Sequence, residues 1–352
     1  MIGKLVKEKV KSGKQAINEL YNTGYYGRPK GDVLELTLVE AAYLLYKNRL
    51  EITMDENNLD FEEFFTEASK RQQFFELKYI VYKDLRERGY YVQPSVTDFR
   101  VYPRGGHPGK TQAKMFVYVR SERVPMQLKD LLTQLNAALN VRKQMVLAIV
   151  DEESDITYYE VKKANIKGSM DPVLKAGNPI SATMLEDRVL IWDETASGML
   201  YENGFYGKKL DDKRLQLSLV ESAYLLEQGI IEIKDENKTA FADIARFFDI
   251  AASIDPDFTR KYSTYVDLRS KGFVPKTGFK FGTHFRVYSE VVSLKKLPHS
   301  EYLIHAIPHD HKFLLPVMSR AVRLANSVRK QMLYAVEFAG EIEYIDIGRI
   351  KM

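Results

Sequence analysis

The chain has no cysteine in its 352 residues. That excludes disulfides, cysteine-bound metal and thiol catalysis together. It has no long uninterrupted apolar run either, so no helix able to span a bilayer is read from it. The opening residues, "MIGKLVKEKVKSG", are charged and have no apolar core segment, so they do not read as a secretory signal. No strong charge imbalance exists: 52 Lys and Arg face 48 Asp and Glu, for a net charge of +4. Such a balance permits nucleic-acid binding without demanding it. A cytoplasmic protein is the simple expectation. What is present is enough apolar material, 45%, to fill real cores, and a length that suits two ordinary domains.

The chain repeats itself. "LELTLVEAAYLL" at 34–45 returns as "LQLSLVESAYLL" at 215–226, 181 residues later. "YKDLRERGYYV" from Tyr82 returns as "YVDLRSKGFV" from Tyr265, an offset of 183. "FRVY" ends at Tyr102 and again at Tyr288, an offset of 186; "VRKQM" begins at Val141 and Val328, an offset of 187. Offsets that creep upward mean two homologous halves with small insertions in the second. Gly, Pro and Ser cluster in "NIKGSMDPVLKAGNPIS", which marks the seam. The expected division is a repeat over 1–168, a linker over 169–181 and a repeat over 182–352.

Each half has the same layout. A helix starts at Thr37 or Ser218, with Glu40 or Glu221 three residues on as the capping-box partner. A longer helix ends before Gly89 or Gly272, each placed as a C′ glycine. Strands, one amphipathic helix and a closing strand pair follow. The expected fold class is mixed α/β, with two small subdomains per half.

The stretch from Phe281 to Lys330 carries the chemistry. "HFRVY" and "EYLIHAI" alternate as strands do, and "VMSRAVRLANSVRKQM" has helical spacing with basic residues between apolar ones. On this reading Lys330 lies on the helix, two turns from Arg323 along one face. A tyrosine, a histidine and a lysine could thus meet from two strands and a helix. "KTGFKFGTHFRVY", "LPHSEYL" and "AVRLANSVRK" resemble the C-terminal signature of the archaeal tRNA-splicing endonucleases, and the resemblance extends over almost the whole chain. It implies a nuclease-like mixed sheet in each half, catalysis by Tyr288, His299 and Lys330, and no metal or other cofactor. It also implies attack of a ribose 2′-hydroxyl on its own 3′-phosphate, leaving a 2′,3′-cyclic phosphate and a 5′-hydroxyl.

These residue types suit that reaction. One group must take the 2′-OH proton, one must protonate the leaving 5′-oxygen, and a fixed cation must face the phosphorane. Histidine titrates near neutral pH; phenol, at ~10, is the awkward base and needs a cation nearby. The first half keeps Tyr102 and Lys143, but Gln112 falls about where His299 does, and Asn136 stands opposite Arg323. His107 sits nearby in a differently built glycine-rich loop. The first half therefore reads as a non-catalytic copy.

The resemblance further implies that Arg323 and Arg349 sandwich a base flipped from the RNA bulge. Arg320, Arg329, Lys295, Lys296 and Lys312 could add phosphate contacts. The implied substrate is precursor tRNA at a bulge–helix–bulge. Two cuts with one live repeat per chain imply a homodimer. Its expected connector is "DEESD", with Asp151, Glu152, Glu153 and Asp155 entering a basic groove on the partner. Two other functions stay open: a metal-dependent nuclease, for which the "HDH" of His309, Asp310 and His311 would be the ligand candidate, and a non-catalytic RNA-binding subunit.

Overall fold

The computed structural model describes residues 1–170, 174, 177–235, 241, 244–291 and 298–352. Part of the expected linker thus lies outside the described residues, as do Lys295 and Lys296. The chain divides into two compact units: 1–162 with 312–319 and 348–352, and 163–311 with 320–347.

Both units begin with a small sheet. In the first, the strand Ile2–Val6 pairs antiparallel with Lys9–Ser12 and parallel with Glu51–Met54. In the second, Ile180–Leu185 pairs antiparallel with Arg188–Ile191 and parallel with Ile231–Lys234. The helices Leu38–Tyr46 and Leu219–Glu227 both start in full capping boxes, Thr37 with Glu40 and Ser218 with Glu221. The cap glutamates do a second job. Glu40 accepts the Gly27 N–H at 2.8 Å and Glu221 the Gly207 N–H at 2.9 Å, each from a turn where glycine has positive φ. The helices Phe75–Glu87 and Phe258–Ser270 end at Gly89 (φ +85°) and Gly272 (φ +78°), the expected left-handed C′ positions.

An arginine–tyrosine stack ties each early segment to its long helix. The Arg86 guanidinium lies 4.1 Å from the Tyr26 ring and donates to Gly24 O at 3.0 Å. Arg269 repeats this, 4.3 Å from Tyr206 and 3.0 Å from Gly204 O. Arg269 is 1% exposed, so its charge is compensated by the ring face and the carbonyl rather than by water.

The later sheet of each unit has one topology. In the second, Val274–Thr277, Phe285–Tyr288 and Tyr302–Ile307 run antiparallel in turn. Tyr302–Ile307 then pairs parallel with Gln331–Phe338, which pairs antiparallel with Glu341–Ile350. The first unit repeats it with Val92–Ser95, Asp98–Val101, Met115–Ser121, Gln144–Val150 and Ile156–Ala164. A parallel pair needs a crossover, and the helices Leu128–Asn140 and Leu315–Ser327 supply it.

The crossover helix corrects one expectation. It ends at Ser327, so Lys330 lies beyond it and shares no helical face with Arg323. The reason is a tight C-terminal turn. Arg329 takes φ +55°, and the Lys330 N–H reaches back to Ala325 O at 2.8 Å. This six-to-one bond is the Schellman pattern. The first repeat does the same, with Arg142 at φ +55° and Lys143 N–H on Ala138 O at 2.9 Å. Helical spacing in the sequence runs past the stop because no glycine or proline marks it.

Candidate active site

The second unit's sheet gathers the three residues at one end. Tyr288 closes its strand. On the next strand the Glu301 N–H donates to Val287 O at 3.0 Å, and on the third the Gln331 N–H donates to Glu301 O at 3.0 Å. His299 lies two residues before Glu301, and Lys330 one before Gln331. Strands sit about 4.8 Å apart, so the Tyr288 and Lys330 backbones lie roughly two spacings from each other. The Schellman turn delivers Lys330 to this row, and its ammonium donates to Ser300 O at 2.6 Å, one residue from His299.

Exposure differs sharply among the three. Tyr288 is 3% exposed, packed among Val274, Val291, Met170 and Phe205. Lys330 is 9% exposed, and His299 is open to solvent. The phenol and the ammonium are thus withdrawn from solvent, and the imidazole is open to it. Burial lowers the Lys330 pKa from the usual lysine range, and the nearby Arg286 charge lowers it further. The ammonium also lies 5.9 Å from the Phe281 ring. Arg286 lies 5.8 Å from the Tyr288 ring, and among the described residues it has no ion-pair partner.

The first repeat is a control built into the molecule. There the Lys114 N–H donates to Val101 O at 2.8 Å and the Gln144 N–H to Lys114 O at 3.1 Å, the same two bonds. Counting two back from Lys114 gives Gln112 in the place of His299, as the aligned flanking words have it. Tyr102 donates to Gln93 at 2.7 Å and Lys143 to Gln112 at 2.9 Å. Both polar tips are therefore tied to side-chain amides. Strand register puts Lys276 where the first half has Gln93, because Lys276 pairs with Arg286 as Gln93 pairs with Arg100. Lys276 turns away to Glu221 (3.2 Å) and Gly207 O (2.9 Å). His107 stacks on Tyr25 at 4.6 Å, a packing role.

Arg323 and Arg349 are both exposed, and among the described residues neither makes an ion pair. Arg320, Arg329 and Lys312 are exposed as well. Among the described residues no group of three or more His, Cys, Asp or Glu is arranged to hold a metal, "HDH" included. The acidic loop is the tip of a hairpin, between the strands Gln144–Val150 and Ile156–Ala164, and its four acids are not equivalent. The Asp151 carboxylate accepts the Glu153 and Asp155 N–H groups at 3.0 and 2.9 Å, and Glu152 pairs with Arg123 at 2.6 Å. Glu153 and Asp155 make no ion pair among the described residues.

The sequence offered no lining residues for the expected basic groove; the second unit holds one of about 650 Å³. Arg188, Lys208, Lys261, Lys276 and Arg286 line it, with Asp187, Glu221 and Asp255 the acids. His284 lines it too: this ring lies on His305 at 4.1 Å, accepts the Ala306 N–H at Nδ1 (3.1 Å), and turns Nε2 to Asp257 (3.2 Å). Burial, with His305 second, holds His284 down to about 3; burial and His311 hold His305 to about 4. Both folded values lie below the unfolded ~6.5. The unfolded chain then binds protons that the folded one refuses, so stability present above pH ~6.5 is lost as pH falls towards 4. Denaturant titrations at pH 7 and 5 should show a loss approaching about 1.4 kcal/mol per pH unit for each histidine. A His284→Gln, His305→Gln variant should flatten that slope.

The comparisons with known proteins follow the duplication. The family described as "tRNA intron endonuclease, catalytic C-terminal domain" matches at 75–158 and again at 258–344. The matching "tRNA intron endonuclease, N-terminal domain" is found at 1–65 and 180–244. The chain belongs to the tRNA intron endonuclease family. It is an enzyme of that family, with both of the family's domains present twice. A protein of Methanococcoides burtonii called tRNA-splicing endonuclease is 62% identical over 100% of both chains. One of the same name from Methanosarcina mazei is 60% identical over 98% of this chain and 97% of its own. Another from Haloarcula marismortui is 35% identical over 97% of each. These relatives are archaeal, as the sequence resemblance implied. Among the described residues no helix of this tRNA intron endonuclease is long and apolar enough to cross a membrane.

Proposed function

We propose that the chain cuts precursor tRNA at a bulge–helix–bulge by metal-free transesterification, with the second repeat catalytic and the first silent. The 2′-oxygen forms a bond to phosphorus as the P–O5′ bond breaks. Tyr288 takes the 2′-hydroxyl proton, His299 gives one to the departing 5′-oxygen, and Lys330 faces the charge that grows on the phosphorane. The observation that carries this reading is the Lys330 ammonium on the Ser300 carbonyl, beside His299 and in one sheet row with Tyr288. An ammonium held by a neutral carbonyl keeps its charge for a substrate. Arg323 and Arg349, exposed and without ion-pair partners among the described residues, suit stacking on an unpaired base. The test is to incubate the purified chain with bulge-containing RNA in EDTA and to read the ends. Cyclic phosphate and 5′-hydroxyl are expected; a 5′-phosphate, or dependence on magnesium, would overturn the mechanism.

Two cuts call for a homodimer, joined by the acidic loop of one chain in the basic groove of its partner. Glu153 and Asp155 are the acids left for this, and Arg286 is a groove cation without a counterion among the described residues. Asp151 shapes the loop instead. A Glu153→Lys, Asp155→Lys variant should dissociate the dimer in sedimentation and lose cleavage in parallel. The Arg123–Glu152 pair, 70% and 67% exposed, is of little energetic weight in holding the loop.

A further inference from the structure

One difference between the two repeats lies in a hairpin loop beside the proposed site. Six residues separate Gln93 from its partner Arg100, and nine separate Lys276 from Arg286. The insertion occurs only in the repeat that carries His299, and it contains Phe279, Lys280 and Phe281. It forms a single helical turn with a stiff frame. The Phe281 N–H donates to Gly278 O at 2.7 Å and the Gly282 N–H to Phe279 O at 3.0 Å, with Gly282 at φ +64°. Gly278 has no room for a side chain, since a Cβ there would lie 2.3 Å from Thr283 Oγ1.

The two phenylalanines on this turn differ in surroundings. Phe281 looks inward, 5.9 Å from the Lys330 ammonium. Phe279 is 86% exposed, among the most exposed large apolar side chains of the described residues, and Lys280 beside it is exposed too. A hydrophobic ring held in water on a rigid turn gains nothing for folding. Neither Phe279 nor Lys280 lines the basic groove, so the groove's occupant does not account for them.

We infer that Phe279 is a stacking platform for an unpaired nucleobase next to the scissile phosphate, with Lys280 on the adjoining backbone. This rests on the function proposed above. Bulged nucleotides present bare base faces, and an aromatic ring accepts any base face without reading its sequence. Phe279 would act by positioning, since it touches the substrate away from the reacting atoms.

The test compares wild type with Phe279→Ala, Phe279→Leu and Phe279→Trp. Binding is measured on bulge RNA carrying 2′-deoxy residues at the cut sites, and single-turnover cleavage on the all-ribose form. Phe279→Ala and Phe279→Leu should each bind about tenfold more weakly, and Phe279→Trp should stay within about threefold of wild type. Replacing bulge nucleotides one at a time by abasic sites should find one position where wild type loses that same factor and Phe279→Ala loses nothing more. Equal abasic penalties in both proteins, or wild-type binding by Phe279→Ala, would overturn the inference. So would a drop to monomer in sedimentation, which would give the ring to a protein interface. The binding arm needs no turnover, so a chain that fails to cleave sinks the proposed mechanism while the stack is still scored.

Discussion

Lys330→Ala should lower single-turnover cleavage by about a thousandfold while RNA binding changes little. A preorganised donor facing developing oxyanion charge is worth roughly 10²–10³ in rate, and a proton-transfer group roughly 10²–10⁴. His299→Ala should therefore fall in the same range. The two differ in folding risk. His299 is exposed, so its removal leaves the fold alone. Lys330 is 9% exposed, and its removal leaves Ser300 O without that donor. Lys330→Gln, which keeps a donor without the charge, separates the two effects: it should fold like wild type and remain near the alanine rate. The pH profile gives a second check. Burial and Arg286 lower the Lys330 pKa. The ammonium is then lost at a lower pH than in a solvated lysine, and cleavage should fall away on the alkaline side before the ordinary value of 10.5. Wild-type cleavage by both alanine variants would remove this site from the mechanism.

Gly207→Ala should cost the fold at least about 3 kcal/mol, measured by denaturant unfolding of the full chain. Its φ is +63°, where a Cβ costs roughly 1–2 kcal/mol from local sterics alone. The Cβ would also lie 2.5 Å from Gln216 O and 2.9 Å from Leu217 Cδ2. A backbone oxygen in a paired strand cannot step aside as a side chain can. Moving residue 207 instead pulls its N–H from Glu221 and its carbonyl from Lys276. That pair is buried, and Lys276 is held below its usual range by desolvation despite the glutamate. Breaking such a cluster is among the few routes to a large single-site loss. An exposed-turn glycine such as Gly340, with open space where its Cβ would go, should show only the conformational part.

Much of this architecture was legible in the residues. The duplication, the capping boxes at Thr37 and Ser218 and the C′ glycines follow from local rules that tertiary context did not override. Gln112 in the place of His299 was also readable, because the flanking words aligned. The end of the crossover helix was not. Its stop uses Arg329 in a left-handed conformation, and arginine carries no sequence signal for that. Arg286 could have been found, since it stands two residues before Tyr288 and side chains alternate along a strand. The pairing of Glu152 with Arg123 joins residues 29 apart, beyond any periodicity argument. The exposure of Phe279 was hidden for the opposite reason: in composition an aromatic reads as core, and only coordinates show it outside.

The Schellman turn at 325–330 constrains how the chain can change. It fixes the phase of the following strand, Gln331–Phe338, in which successive positions face opposite sides of the sheet, both sides being buried from Met332 to Val336. Deleting or adding one residue between Ser327 and Lys330 would swap those positions through Phe338. The ammonium would rotate to the opposite side, and the apolar row of Leu333 and Ala335 would be turned out of its layer. A length change of one at this corner would thus exchange that row for Met332, Tyr334 and Val336, a repacking of both layers at once, and both repeats carry the same turn.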